Sequence, residues 1–348
     1  MYILDEAMAT LTSWADMLQQ TVQAWPLVLQ GIDAASLAIP LATLLACVGL
    51  CCLSGMARLL AVTRKRSSYA KCARQLALLA VLLGWSLLVG GRLWLFYTQG
   101  TFAPDSLANF ILECAWMLLG SAVMLVSVYY MLWKPMRGLP TLHALLAFLS
   151  GLAGLFSAGA TMAAARLFAA LDRSDAALMT LEHIYTPDIC TPFFCALCMT
   201  LPLALALAGG FGAFWLILRR RHDDFGRDHY NAMLPWCAVW ARNAWIVYWL
   251  LLLSATSLQI HVQWLGDSFT PEDALWESAW LLLWLVPALF WAIPARSATP
   301  LRHKLLLFLA LLLSLAGVLP FHANMTEIAP PLQSTTVLPQ ASQQPVLP

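Results

Sequence analysis

Fifteen of the nineteen Lys and Arg residues fall in four short segments, and long apolar runs separate those segments. The basic segments are 58–74 (Arg58, Arg64, Lys65, Arg66, Lys71, Arg74), 134–137 (Lys134, Arg137), 219–227 (Arg219, Arg220, Arg221, Arg227) and 296–304 (Arg296, Arg302, Lys304). Thirteen of the eighteen Asp and Glu lie elsewhere, in 1–36, 98–107, 172–190, 258–273 and the tail. Lys and Arg are retained on the cytoplasmic side of a membrane. The alternation therefore predicts a chain that crosses a membrane eight times, with both termini outside, periplasmic in a bacterium.

Composition agrees with that reading. A chain that is 61% hydrophobic and only 11% charged could not keep its surface in water. Eight spans of roughly 20 residues each cross about 30 Å of hydrocarbon, and they are read at 37–57, 75–97, 108–133, 143–168, 192–218, 232–257, 274–293 and 304–320. Backbone polar groups in lipid must be bonded internally, and the runs are too long and too uniformly apolar for alternating barrel strands, so the spans are helices. The expected fold is an all-α integral membrane protein, a bundle of eight transmembrane helices at 37–320. An acidic extracytoplasmic segment at 1–36, without the basic start of a signal peptide, precedes it, and a Pro- and Gln-rich, largely disordered tail at 321–348 follows.

Such a layout leaves no room for a nucleotide-binding fold, a flavin domain or a catalytic head. Chemistry is expected within the membrane or on a partner subunit. Of the sixteen Trp, Trp94, Trp133, Trp264, Trp276 and Trp291 lie near span ends, as in an interfacial belt. Trp85, Trp116, Trp245 and Trp284 are mid-span and are expected to pack between helices.

Charges inside spans are costly in hydrocarbon and usually face an interior or a water-filled cavity. Five qualify: Arg92, Glu113, Arg166, Arg242 and Glu277. On the expected topology Arg92, Glu113, Arg166 and Glu277 share one depth near the outer face, and His261, just past the sixth span, adds a titratable group there. An arginine at that depth can also snorkel to the interface; the shorter glutamates reach it less easily. Two acids and two bases at one level suggest a polar pocket that opens outward, with Glu113 as proton acceptor. Arg242 lies deeper, in Trp240-Ala-Arg-Asn-Ala-Trp245, where it serves either an interhelical network or proton access.

The seven histidines argue against a haem between helices, which wants two axial imidazoles within spans. His143, His222, His229 and His303 belong to one edge and His183, His261 and His322 to the other. No metal site is expected in the chain itself. Cys195 and Cys198, with Cys190 and Cys114 at similar depth, are either a redox dithiol or small apolar packing residues; Cys51-Cys52 shows the second usage.

The order of these features resembles the membrane anchor subunit of the dimethyl sulfoxide reductase family of molybdenum enzymes. The closest local match is Tyr185-Thr-Pro-Asp-Ile-Cys-Thr-Pro-Phe-Phe-Cys-Ala-Leu-Cys-Met-Thr-Leu-Pro-Leu203, entering the fifth span. A second is terminal: Trp291-Ala-Ile-Pro294 closes the seventh span and Phe321-His-Ala-Asn-Met-Thr326 follows the eighth. The chain departs from the family pattern in two places: the family's acid early in the third span has no match at its position, Glu113 coming about one turn later, and its functional histidine near the outer end of the second span is replaced around Arg92. The resemblance implies a haem-free anchor in the bacterial inner (cytoplasmic) membrane that oxidises menaquinol or ubiquinol near the outer face. Electrons would pass to an iron–sulfur subunit and on to a molybdopterin catalytic subunit. On that reading Glu113 takes the proton, and Arg92, Arg166, His261 and Glu277 are quinol contacts. A polysulfide-reductase type of anchor would use similar physics. The other readings are a haem-b or dithiol quinone protein, a purely structural anchor, and a secondary transporter, whose mark would be a pseudo-symmetric pair of broken helices.

Overall fold

The computed structural model describes residues 26–98, 107–172, 192–223, 225–265 and 270–326. The regular elements in them are helices: α1 (Pro26–Thr63), α2 (Ser67–Thr98), α3 (Leu107–Met131), α4 (Pro140–Asp172), α5 (Pro192–Asp223), α6 (Arg227–Leu265), α7 (Pro271–Leu283), α8 (Val286–Arg296), α9 (Lys304–Ala316) and α10 (Val318–Thr326), with short 3-10 turns at Pro135–Gly138 and Pro300–His303. Six of these twelve elements open on proline, whose fixed φ and missing N–H suit the first helical position. Eight stretches are long and apolar enough to cross a membrane: α1 to α6 singly, α7 with α8, and α9 with α10. Large apolar side chains such as Met117, Leu282 and Leu305 are exposed on their outer faces. A surface of that kind is at home in lipid, and the chain is a multi-pass membrane protein.

Two helices run beyond the spans read from sequence. Residues 26–36 continue α1 as helix, so only 1–25 of the N-terminal segment lie outside the described residues. At the other end the last helix runs to Thr326, six residues past the boundary drawn at 320; residues 327–348 lie outside the described residues.

The helices form two four-membered rings. In the first, α1 packs on α2 and α4, and α3 closes the ring against both. In the second, α5 packs on α6 and α9, and α8 closes it against α6 and α9. The rings join along α1 and α5, where a Cβ on Gly49 would run into the Ala204 carbonyl and the Ala208 methyl. With little hydrophobic drive between helices in lipid, such close backbone approach supplies the association.

Hydroxyls and an indole stitch the first ring. Ser54 donates to Ala73 O (2.7 Å), Ser150 to Ala122 O (2.7 Å), Ser157 to Ala115 O (2.7 Å) and Trp85 Nε1 to Ser127 Oγ (3.1 Å). The second ring uses α6 differently, because its partners are interrupted. Pro287 cannot donate to Leu283 O, and α7 gives way to α8 at Trp284 and Leu285. Pro320 likewise cannot donate to Ala316 O, and α9 gives way to α10 at Gly317. Three side chains at i, i+3 and i+4 of α6 meet this region. Trp245 Nε1 donates to Trp284 O (2.8 Å), Tyr248 Oη to Gly317 O (2.7 Å) and Trp249 Nε1 to Leu281 O (2.8 Å). The two interruptions sit in neighbouring helices of one ring, while α3 and α4, their counterparts in the first ring, run unbroken.

The four basic segments meet at one end of the bundle. Arg58 of α1 lies over the Trp133 ring (4.9 Å), Lys71 of α2 over Phe225 (4.9 Å), and Gln75 donates to Asp223 at the end of α5 (2.7 Å). The 3-10 turn at Pro300–His303 packs on α6 at the same end. Arg92, Glu113 and Arg166 lie toward the opposite ends of their helices.

Candidate functional site

At the base-poor end, α2 presents Arg92 six residues before its last, Thr98, and α3 presents Glu113 from its second turn. Arg92 Nη1 donates to Glu113 Oε1 at 2.5 Å, with the two side chains 46% and 41% exposed. Gly91 makes the local fit possible: a Cβ there would stand 2.6 Å from the Trp116 ring, which lies one turn below Glu113 on the same face of α3. Among the described residues this is the one ion pair that joins two helices, the other being Arg219–Asp223 within α5.

Arg166 stands on a different seam. It projects from α4 beside the start of α5, its guanidinium 4.5 Å from the centroid of Phe193. The residue is only 7% exposed, and its Nε and Nη1 have no hydrogen-bond partner. One turn along α4, Met162 Sδ accepts from Thr200 of α5 (3.4 Å). α10 packs against both α4 and α5, and its Asn324 carries a second buried atom without a partner, Oδ1. Among the described residues Arg166 meets no carboxylate; a buried guanidinium so placed is expensive, and its aromatic neighbour offsets only part of that cost.

His261, exposed near the end of α6, and Glu277, half-buried in α7, complete the expected set. A capping box starts α7: Asp273 N donates to Thr270 Oγ1 (3.3 Å), while Thr270 N (2.9 Å) and its hydroxyl (2.7 Å) donate to Asp273 Oδ2. Those bonds, the hydroxyl's first, hold the Asp273 carboxyl below the usual carboxylate range. Among the described residues no hydrogen bond or ion pair ties His261 or Glu277 to Arg92, Glu113 or Arg166. The expected five thus divide into a joined pair, a buried arginine on the next seam, and two separate groups on α6 and α7.

Other side chains have different surroundings from those their sequence positions suggest. Trp291, expected in an interfacial belt, is fully buried and donates to Ser314 Oγ (2.9 Å). His143 and His229 are buried at the base-rich end; the first lies 2.8 Å from Tyr129 O and stacks on the Tyr129 ring at 4.2 Å, the second lies 3.1 Å from Gln75 Oε1. On α5, Cys195 is buried and Cys198 exposed. Arg242 borders a groove of about 320 Å³ between α6 and α8. The interruptions near Pro287 and Pro320 had a readable signal, since each proline stands inside an apolar run. Nothing in sequence pairs Arg242 with Arg296.

Fold and site together define a multi-pass helical membrane protein with a polar pair set into one end. Compared with known proteins, the chain matches no family model, no curated protein and no solved structure.

Proposed function

We propose that this chain is the membrane anchor and quinol-oxidising subunit of a multi-subunit respiratory oxidoreductase in the bacterial cytoplasmic membrane. Its base-rich end faces the cytoplasm, as the distribution of Lys and Arg requires, and the end with Arg92 and Glu113 faces outward. The observation that carries the reading is the Arg92–Glu113 pair, a carboxylate held between two spanning helices within reach of both lipid and the outer surface. Menaquinol and ubiquinol are the substrates whose chemistry suits it. Oxidation to the quinone releases two protons and two electrons. Glu113, within hydrogen-bonding distance of a quinol hydroxyl, takes one proton and passes it outward, trading Arg92 for the substrate. Arg166 brings two unpartnered N–H donors to the same end, and a quinone carbonyl is an acceptor that fits them. The second proton follows through the same carboxylate once Glu113 has given up the first, while His261 and Glu277, expected as quinol contacts, stand apart on α6 and α7. The electrons leave to an extracytoplasmic iron–sulfur subunit and reach a molybdopterin catalytic subunit, an assignment that rests on the resemblance to the dimethyl sulfoxide reductase anchors.

Glu113→Gln tests the proposal. The amide keeps the size and can still bond Arg92, but it cannot take the proton. Quinol oxidation by the assembled complex should slow at least about tenfold, the usual scale for loss of a general base, with subunit assembly unchanged. Wild-type turnover in a correctly assembled variant would move the quinol site elsewhere.

A further inference from the structure

α6 and α8 pack closely, yet on their outer side they leave the groove of about 320 Å³. Its opening reflects small residues on α8, Ala288 and Ala292 one turn apart, and the interruption that begins at Leu285. Its rim is lipid-facing, since Ile246 of α6 and Leu289 of α8 are both exposed. Two arginines line the groove. Arg296 is the last residue of α8, at the base-rich end, and Arg242 lies on α6 about four turns inside that helix. Asn243 Oδ1 accepts from both Nε (3.0 Å) and Nη2 (2.8 Å) of Arg242, which fixes the guanidinium and leaves Nη1 free to bond a ligand. Among the described residues neither arginine has a carboxylate partner.

We propose that this groove binds an anionic phospholipid. Two guanidinium groups without a carboxylate among the described residues, Arg242 within its span and Arg296 at the end of its own, call for a ligand with net negative charge. A quinone is neutral and would leave both charges uncompensated, and a choline lipid carries its own counter-charge. An acidic phospholipid places its phosphate between Arg242 and Arg296 and lays acyl chain along Ile246, Leu289 and Leu285 toward the bilayer centre. Basic pockets between transmembrane helices are general sites for such headgroups. The site is at the opposite end of the bundle from Arg92 and Glu113 and does not depend on the proposed quinol chemistry.

Native mass spectrometry of the full-length chain, with any subunits that copurify, provides the test. Phosphatidylglycerol and phosphatidylcholine are titrated against the delipidated protein. Wild type should retain phosphatidylglycerol over phosphatidylcholine by roughly tenfold, and the combined Arg242→Gln and Arg296→Gln variant should lose that preference. Ala292→Trp, which fills the groove and keeps both arginines, should lose it as well, with unfolding temperature and far-ultraviolet dichroism unchanged. This second variant decides the matter if the first fails to fold. Equal retention of the two lipids by wild type, or a preference that survives Ala292→Trp, overturns the proposal. So does displacement of phosphatidylglycerol by a neutral ubiquinone analogue at equal concentration, which would make the groove a quinone site.

Discussion

Arg166 and Glu113 carry the two costs that matter at the scale of single residues. Glu113 shares its charge with Arg92 where both remain partly exposed, so its energetic burden is modest. Arg166, buried against Phe193, meets no carboxylate among the described residues, so the fold spends stability to keep it there. Arg166→Met removes the charge and keeps much of the stem volume. The unfolding temperature should hold or rise, while quinol turnover falls; a variant that loses stability and keeps turnover would make Arg166 a structural residue. The sequence singled out both residues correctly as charges in apolar runs, because cost in hydrocarbon is a local property. Their partners were not legible. Arg92 and Glu113 are 21 positions apart and could be matched by depth, but Arg166 meets Phe193 only through the packing of α4 on α5, a contact that no local pattern encodes.

At the scale of elements the informative helix is α6. Its Trp245, Tyr248 and Trp249 form a row of donors facing the interrupted pair α7–α8 and α9–α10, so one straight helix supplies bonds that two broken ones need. Tyr248→Phe should remove one of two donors from Gly317 O, which, as the residue before α10, also accepts that helix's first backbone bond. The expected cost is about 1 kcal/mol, read as a lower unfolding temperature and faster amide exchange confined to 314–321. Exchange unchanged in that segment would show that another donor replaces the hydroxyl. The spans themselves were legible because a run of apolar residues reports burial in lipid directly. The interruptions carried a signal, Pro287 and Pro320, that did not decide them, since prolines in this chain have several uses: Pro140, Pro192 and Pro271 open elements, whereas Pro40, Pro202 and Pro235 sit inside unbroken helices. Only tertiary context separates those uses.

For the whole molecule, the gathering of four basic turns at one end makes topology the broadest expectation. Reporter fusions at about residues 100, 180 and 265 should read as outside, and those at about 68, 224 and 299 as cytoplasmic. An inverted pair would mean that the charge bias does not set the orientation. The two-ring arrangement has another consequence. Each ring closes on itself, the chain passes between them once, from Asp172 to Pro192, and the largest contact that binds them is the seam of α1 and α5, where Gly49 meets Ala204 and Ala208, beside smaller contacts of α10 on α1 and α4 and of α2 on α5 and α6. The halves should therefore be separable in synthesis and still find each other. Two polypeptides, 1–180 and 181–348, inserted independently, should copurify as a stoichiometric pair, and Gly49→Leu should abolish that pairing while each half still inserts. Copurification that survives Gly49→Leu would place the recognition elsewhere than in the seam. In this sense Gly49 acts as the docking key between two autonomous bundles, a joint at which the gene could be cut and the protein reassembled.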